Sequence, residues 1–327
     1  MIPYARHQIT PEDEAAVLRA LRSGYLTRGP ETAALETDLC AITGAAHAVA
    51  VSSGTMALEL AYAACPSPEV QVPAITFLAT ANAAALVGRR VVFRDCDART
   101  GLTLGTPDPA AVFVTLGGQP VPGHWPGIVD ACHGPLHHPP SAIATVLSFH
   151  PCKHVAAGEG GAVLTNEDGI AAFVRCLRDA GRLNGKAITV GTNGHLSELT
   201  AALARSQLAR YQDGVLRRRL IAAQYDEAFM GLRHCYPVDH DPESARHLYQ
   251  LLFPGPAARD RFRAYAASQG VGTQVHYRPI PAEPAWEQAG SFPGAESHAN
   301  RVVSIPLYPS MTEDEMATVI RVVREAI

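Results

Sequence analysis

SFHPCKHVAAGEGGAVLT (residues 148–165) sets one lysine, Lys153, between a short apolar run and a glycine cluster. TVLSF, which leads into it, reads as a buried strand. AGEGG reads as a tight loop and AVLT as the next strand. A lysine is costly to bury, so one held between two core strands either acts there or carries its ammonium out to solvent. Upstream, the same kind of apolar run recurs as AVAV (48–51), VQVPA (70–74), RVVFRD (90–95), AAVFVT (110–115), GIVDA (127–131) and ATVLSF (144–149). Helical patterns, MALELAYAA and TFLATANAAALVG, alternate with some of them. Continuous apolar strands alternating with helices predict an α/β fold: a three-layer α/β/α domain around a mostly parallel sheet. LGGQPVPGHWP (116–126) joins two strands with no helical pattern, so one crossover is unusually short.

Two capped helices precede the sheet, TPEDEAAVLRALRSG (10–24) and PETAALETDLCAITG (30–44). A long helical pattern over 197–229 is interrupted at Gly214, and its Arg217, Arg218 and Arg219 read as a solvated face. Beyond it, RHLYQLLF, ARDRFRAYAASQG and VGTQVHY read as strand, helix, strand, and TEDEMATVIRVVREAI as a closing helix. The expected division is a large domain over 1–213, with an N-terminal arm, and a small α+β domain over 214–327.

Composition excludes several roles. The 327 residues are 47% hydrophobic and 18% charged, with a net charge of −4. That supplies no basic field for nucleic acid and no polybasic membrane patch. Seven cysteines without a C-x-x-C pair fit a reducing compartment better than a disulfide framework or a zinc site. No apolar run approaches a membrane span and no signal-peptide pattern opens the chain, so a cytoplasmic, soluble protein is expected. HHPP (137–140) reads as an exposed loop, and no metal site is expected.

The chemistry gathers at strand ends, where open α/β sheets bind ligands. In VSSGTMAL, Gly54 and Thr55 open a helix, and their backbone N–H groups with the Thr55 hydroxyl can hold an anion; the same turn is equally a plain cap. Asp130 ends GIVD, where a carboxylate can cap a turn or pair with a protonated ring nitrogen. Phe77 in TFLAT can stack on a ring or fill a core. A lysine, an aspartate, an anion-binding helix start and an aromatic together suggest pyridoxal 5'-phosphate. Its Schiff base would form on the lysine, and its ring nitrogen would keep its proton on the aspartate.

These segments resemble the DegT/DnrJ/StrS family of sugar aminotransferases, which have the aspartate-aminotransferase fold (type I). VSSGTMALELAYAA is similar to the family's S-G-T-x-A-L turn, and VPAITFLAT to its P-x-x-T-F-x-A-T segment. VDACHGP resembles E-D-A-A-H-A, SFHPCKHVAAGEGG resembles S-F-x-x-x-K-x-x-x-x-G-E-G-G, and GTNGHLSELTAAL resembles G-Y-N-Y-R-M-x-x-x-x-A-A-L. The resemblance implies that Lys153 is the Schiff-base lysine and Asp130 the ring-nitrogen partner, with His133 beside the ring. It implies that Thr55 and Ser148 hold the phosphate, Met56 adds a backbone contact, and Phe77 stacks. It also implies a homodimer in which Asn193 reaches the neighbouring subunit's phosphate. His195, His276 and Tyr277 would contact the acceptor.

The implied reaction transfers an amino group from L-glutamate to a keto sugar. Enzymes acting on a UDP-linked 4-keto-6-deoxy hexose, as in the pseudaminic acid route, are the most similar. A nucleotide-free ketone is an alternative acceptor, and a non-catalytic pyridoxal-phosphate-binding regulator is an alternative role. Departures bear on the acceptor: Gly194 and His195 replace the family's aromatic–basic pair, Pro281 replaces its second histidine in H-Y-x-P-x-H, and the 116–126 crossover is short.

Overall fold

The Lys153 loop is framed by two antiparallel strands, as the glycine cluster requires. The computed structural model describes residues 1–286 and 290–326. Helices α1 (Pro11–Arg22) and α2 (Pro30–Thr43) lead into β1 (His47–Val51), α3 (Gly54–Ala64), β2 (Glu69–Pro73), α4 (Ala79–Leu86) and β3 (Arg90–Arg94). Three apolar strands follow, β4 (Val112–Val114), β5 (Ile128–Asp130) and β6 (Ala144–Ser148), then β7 (Gly161–Thr165) and α5 (Asp168–Arg178). A hairpin, β8 (Arg182–Leu183) with β9 (Lys186–Ala187), precedes α6 (Glu198–Leu208) and α7 (Tyr211–Ala228). The C-terminal part comprises β10 (Tyr236–Pro237), β11 (Tyr249–Leu252), α8 (Pro256–Ser268), α9 (Pro293–Ala299), β12 (Val302–Ile305) and α10 (Glu313–Glu325).

The central sheet runs β1-β7-β6-β5-β4, and a parallel bridge from Gln71 to Ala111 joins the parallel β2–β3 pair to its β4 edge. Within the sheet, β7 runs against both neighbours while β4, β5 and β6 run together. The strands are buried on both faces, which is why they read as continuous apolar runs rather than alternating ones. One apolar cluster packs α3 and α4 on one face; a second packs α2, α6 and the start of α7 on the other. A third lies between α7, α8, α10 and the β11–β12 sheet. Each aliphatic side chain fully buried in these clusters contributes about 1.5–3 kcal/mol. Among the described residues no helix is long and apolar enough to cross a membrane.

The short crossover has a physical replacement for its missing helix. Gly117 and Gly118 adopt left-handed backbone, and the Ala245 and Leu248 N–H groups donate to their carbonyls at 2.9 and 3.2 Å. A Cβ on Gly118 would lie 2.6 Å from the His247 nitrogen. The C-terminal part therefore covers the sheet where a helix would otherwise lie.

Several expectations are corrected. The long helical stretch breaks at Ala209–Arg210, and Gly214 lies inside α7. Arg210 is pulled into the break by the fully buried Asp13, with which it pairs, and by the carbonyl of Gln8. Arg218 is not solvated: it is buried and donates to the carbonyls of His247 and Leu307. In HHPP, His138 is buried, its Nδ1 2.8 Å from the Thr145 hydroxyl. VGTQVHY forms isolated bridges to Ile2 and Ser304 rather than a regular strand. In the closing helix, Ile327 lies outside the described residues.

Candidate active site

A cavity of about 600 Å³ opens at the carboxyl ends of β5 and β6. Its wall includes Gly54, Thr55, Phe77, Asp130, His133, Ser148, Lys153, His276 and Tyr277, so nine of the residues singled out from sequence converge. Their convergence follows from topology. Adjacent strands β5 and β6 deliver Asp130 and Ser148, the turn after β1 delivers Gly54 and Thr55, and the loop before β7 delivers Lys153.

The turn at Gly54 is shaped for close approach. The Ser53 hydroxyl accepts the Met56 N–H at 3.0 Å and caps α3. A Cβ on Gly54 would lie 2.9 Å from the Ser148 Cβ, so only glycine lets the helix start meet the end of β6. The remaining N-terminal amides of α3 and the Thr55 and Ser148 hydroxyls face a space suited to an anion. Met56 lies outside that wall, and its amide is already taken by Ser53.

Asp130 is buried, at 5% exposure. It accepts from the Thr80 hydroxyl at 2.9 Å and from the Cys132 N–H at 3.2 Å, and Thr80 shares a 2.9 Å hydrogen bond with Thr76. No cationic side chain pairs with Asp130 among the described residues. Thr76 and Thr80, which the sequence reading did not single out, hold the Asp130 carboxylate. Their spacing of four, at the start of a helix aimed at a strand end, was the available signal.

His133 is buried in the same cavity wall as Asp130. Its Nε2 lies 3.3 Å from the Tyr277 hydroxyl, its ring lies tilted with its centroid 4.2 Å from that of His247, and its Nδ1 has no hydrogen-bond partner among the described residues. Burial first, then the Lys153 charge, holds His133 well below the usual histidine range, so it is neutral at pH 7. His276 is held at about 4 for the same two reasons, with its Nδ1 2.8 Å from the Ser304 hydroxyl. Phe77 is 58% exposed and sits 6.1 Å from the Tyr277 ring. Tyr4 from the N-terminal arm completes the wall, 5.5 Å from His276; sequence reading gave it no role.

Asn193 and His195 do not reach this cavity. Asn193 is exposed, and the Gly194 carbonyl accepts from the Ser52 N–H at 3.0 Å, which ties the segment to the outside of the anion-binding turn. A Cβ on Gly194 would come within 3.2 Å of Met56, so an aromatic there would crowd it. His195 lines a separate cavity of about 560 Å³ with Arg28, Arg178, Asp179 and Arg182. Its Nε2 lies 3.0 Å from the Asp179 carboxylate, which also pairs with Arg28 and Arg182.

The residues present fit pyridoxal phosphate. An anion cradle that a Cβ at Gly54 would fill, a lysine and a buried carboxylate lie in one cavity, and among the described residues neither the lysine nor the carboxylate has an ion-pair partner. Thr55 and Ser148 would hold the phosphate and Asp130 the ring nitrogen.

Comparison with known proteins gives the same direction. The profile of the DegT/DnrJ/EryC1/StrS aminotransferase family matches residues 7–112 and 140–324. The unmatched span contains the short crossover, Asp130 and His133. The chain is 30% identical, over an alignment 378 positions long, to the spore coat polysaccharide biosynthesis protein SpsC of Bacillus subtilis (strain 168), covering 100% of this chain and 97% of that protein. Helicobacter pylori PseC, described as an aminotransferase involved in the biosynthesis of pseudoaminic acid, superposes with a TM-score of 0.92 at 24% identity, covering 99% and 98% of the two chains. DesV of S. venezuelae superposes with a TM-score of 0.88 at 28% identity, covering 96% and 94%.

Proposed function

The chain belongs to the DegT/DnrJ/EryC1/StrS aminotransferase family, a family of pyridoxal-phosphate-dependent sugar aminotransferases, and we propose that it moves an amino group from L-glutamate to a nucleotide-linked 4-keto-6-deoxy hexose. The observation that carries the reading is Lys153, without an ion pair, in a cavity it shares with the cation-free carboxylate of Asp130. Pyridoxal phosphate, when bound, supplies the electron sink that lets a carbon bearing nitrogen give up its proton. Lys153 Nζ would move a proton from the donor carbon to C4′ of the cofactor in the first half of the reaction and from C4′ to the acceptor carbon in the second. Asp130 holds positive charge at the ring nitrogen, and the Thr76–Thr80 hydroxyls orient its carboxylate. Neutral His133 and Tyr277 back the site without adding a competing cation. Ser148 and the α3 amides anchor the phosphate.

We place the working unit as a homodimer in which Asn193 of the partner subunit reaches the phosphate. The exposure of Phe77 at the cavity mouth and the position of Asn193 outside its own cavity support this arrangement. The arginines around Asp179 support a nucleotide-linked acceptor: Arg28 and Arg182 bring two positive charges to one carboxylate, so cationic surface persists where His195 replaces a basic residue. The division into a large and a small domain falls, in this reading, within α7, whose first half packs on the sheet and second half on the C-terminal core.

A nucleotide-free ketone is the second reading, favoured by His195 itself, whose Nε2 is directed at Asp179. The test supplies L-glutamate with UDP- and dTDP-linked 4-keto sugars and with free cyclic ketones, and identifies aminated product by mass spectrometry. Amination of a nucleotide-linked sugar supports the first reading. Conversion of free ketones alone would replace it with the second.

A further inference from the structure

The amino donor presents a problem of charge. Among the described residues lining the catalytic cavity, Lys153 is the only lysine or arginine; His133 and His276 are neutral, His150 is the remaining histidine, and Asp130 and Glu159 are acidic. An acidic amino acid meets no further lysine or arginine in that lining once Lys153 is engaged. A second cavity of about 260 Å³ lies beyond Lys153, which lines both. Arg6, Arg210, Asp213, Arg217 and Arg218 line it with Lys153.

The four arginines are not equivalent. Arg6 pairs with Glu315 at 3.0 Å, Arg217 with Glu313 at 3.0 Å, and Arg210 with Asp13. Arg218, at 4% exposure, pairs with no carboxylate among the described residues. Its Nη1 donates to the carbonyls of His247 and Leu307 at 3.2 and 2.7 Å, which orients the guanidinium and leaves its charge uncompensated, and its Nε makes no hydrogen bond. Burial lowers Arg218 to about 10, so it remains a cation at neutral pH. A desolvated cation without a counter-ion costs several kcal/mol, a cost that a bound anion would offset. The one acid in the lining, Asp213, is exposed on the first turn of α7.

We propose that this second cavity receives a carboxylate of the amino donor, with Arg218 as its cationic anchor and Lys153 as the wall across which donor amine and carboxylate are divided. The proposal rests on the aminotransferase reading above. It makes Arg218 a donor-binding residue and separates donor recognition from acceptor recognition.

The test uses the full-length protein loaded with pyridoxal phosphate. Glutarate, a dicarboxylate without an amine, is the binding probe in calorimetry, and the absorbance change of the bound cofactor on adding L-glutamate reads the half-reaction. Two variants are compared. Arg218→Gln removes the charge. Gly214→Leu narrows the cavity while leaving Arg218 and its carbonyl bonds in place, because a Cβ there meets only Pro309 at 3.7 Å. Both should weaken glutarate about 10- to 100-fold, the range for a lost hydrogen bond to a charged group, and raise the L-glutamate KM by a similar factor. If Arg218→Gln does not fold, Gly214→Leu carries the test. Unchanged glutarate affinity in the folded variants would overturn the proposal. Weakened glutarate with an unchanged L-glutamate half-reaction would also overturn it, marking the cavity as a site for a free carboxylate. A wild-type protein that binds glutarate but shows no absorbance change with L-glutamate would fail the aminotransferase reading itself, and the donor assignment with it.

Discussion

Asp130 and Asp179 both end a regular element, yet their surroundings are opposite. Asp179 caps the C-terminus of α5, the negative end of a helix dipole, where a carboxylate is unfavourable. Arg28 and Arg182 gather on it and supply the positive charge the position needs, and His195, which burial holds below the usual histidine range, adds a hydrogen bond. Asp130, the last residue of β5, is buried and met only by a hydroxyl and an amide. A buried carboxylate held by neutral donors is costly unless a cation joins it. One aspartate is satisfied by its own chain; the other has no cationic partner among the described residues, and in the proposed function a cationic ring would complete it. The contrast separates a charge compensated within the chain from one left uncompensated, without reference to any relative.

Substitutions can break that contrast at four levels. Lys153→Ala should lower kcat by about 10⁴-fold or more, at or beyond the upper end of general acid–base effects; single-turnover assays retaining a tenth of wild-type activity would remove Lys153 from the chemistry. Asp130→Asn should lower kcat by about 10²–10³-fold, the scale for losing a preorganised charge, with little change in melting temperature. Near-normal kcat would place Asp130 with the structural carboxylates. Thr80→Val strips Asp130 and Thr76 of a partner and should cost about 1–3 kcal/mol in denaturant unfolding. Asp179→Asn should cost at most about 1 kcal/mol, because its ion pairs are solvent-exposed.

The Asp179 effect has a defined sign with pH. The His195 hydrogen bond, then Arg182 and Arg28, hold its carboxyl below the usual carboxylate range. A depressed carboxyl contributes stability above its unfolded value, near 4, and loses it as pH falls through the lower folded value. Melting curves of wild type and Asp179→Asn should differ by a constant amount above about pH 5 and converge in stronger acid. A gap that widens on acidification would contradict the pairing.

The catalytic cavity was legible because each of its parts is local: a strand end, a helix start or a glycine-bounded loop carries its own signature. What was missed depends on distant partners. Gly214 reads as a break, but one glycine costs a helix only about 1 kcal/mol, and the true break is set by Asp13 pulling on Arg210 from nearly 200 positions away. Arg217, Arg218 and Arg219 look alike in sequence; only the carbonyls of His247 and Leu307 distinguish the buried one. The four-residue spacing of Thr76 and Thr80 marks them as a pair, but their partner Asp130, fifty residues beyond Thr80, is fixed only when the sheet brings them together. The short crossover was visible, but not the 245–248 segment that covers its place.

The central claim is that Lys153 and Asp130 form one cofactor-dependent transamination site. The most direct measurement is the absorbance spectrum of the purified protein with pyridoxal phosphate, before and after L-glutamate. The account predicts a violet-region band that moves to the near ultraviolet on adding L-glutamate, and no such band in Lys153→Ala. A spectrum indistinguishable from free pyridoxal phosphate, unmoved by L-glutamate, would contradict it.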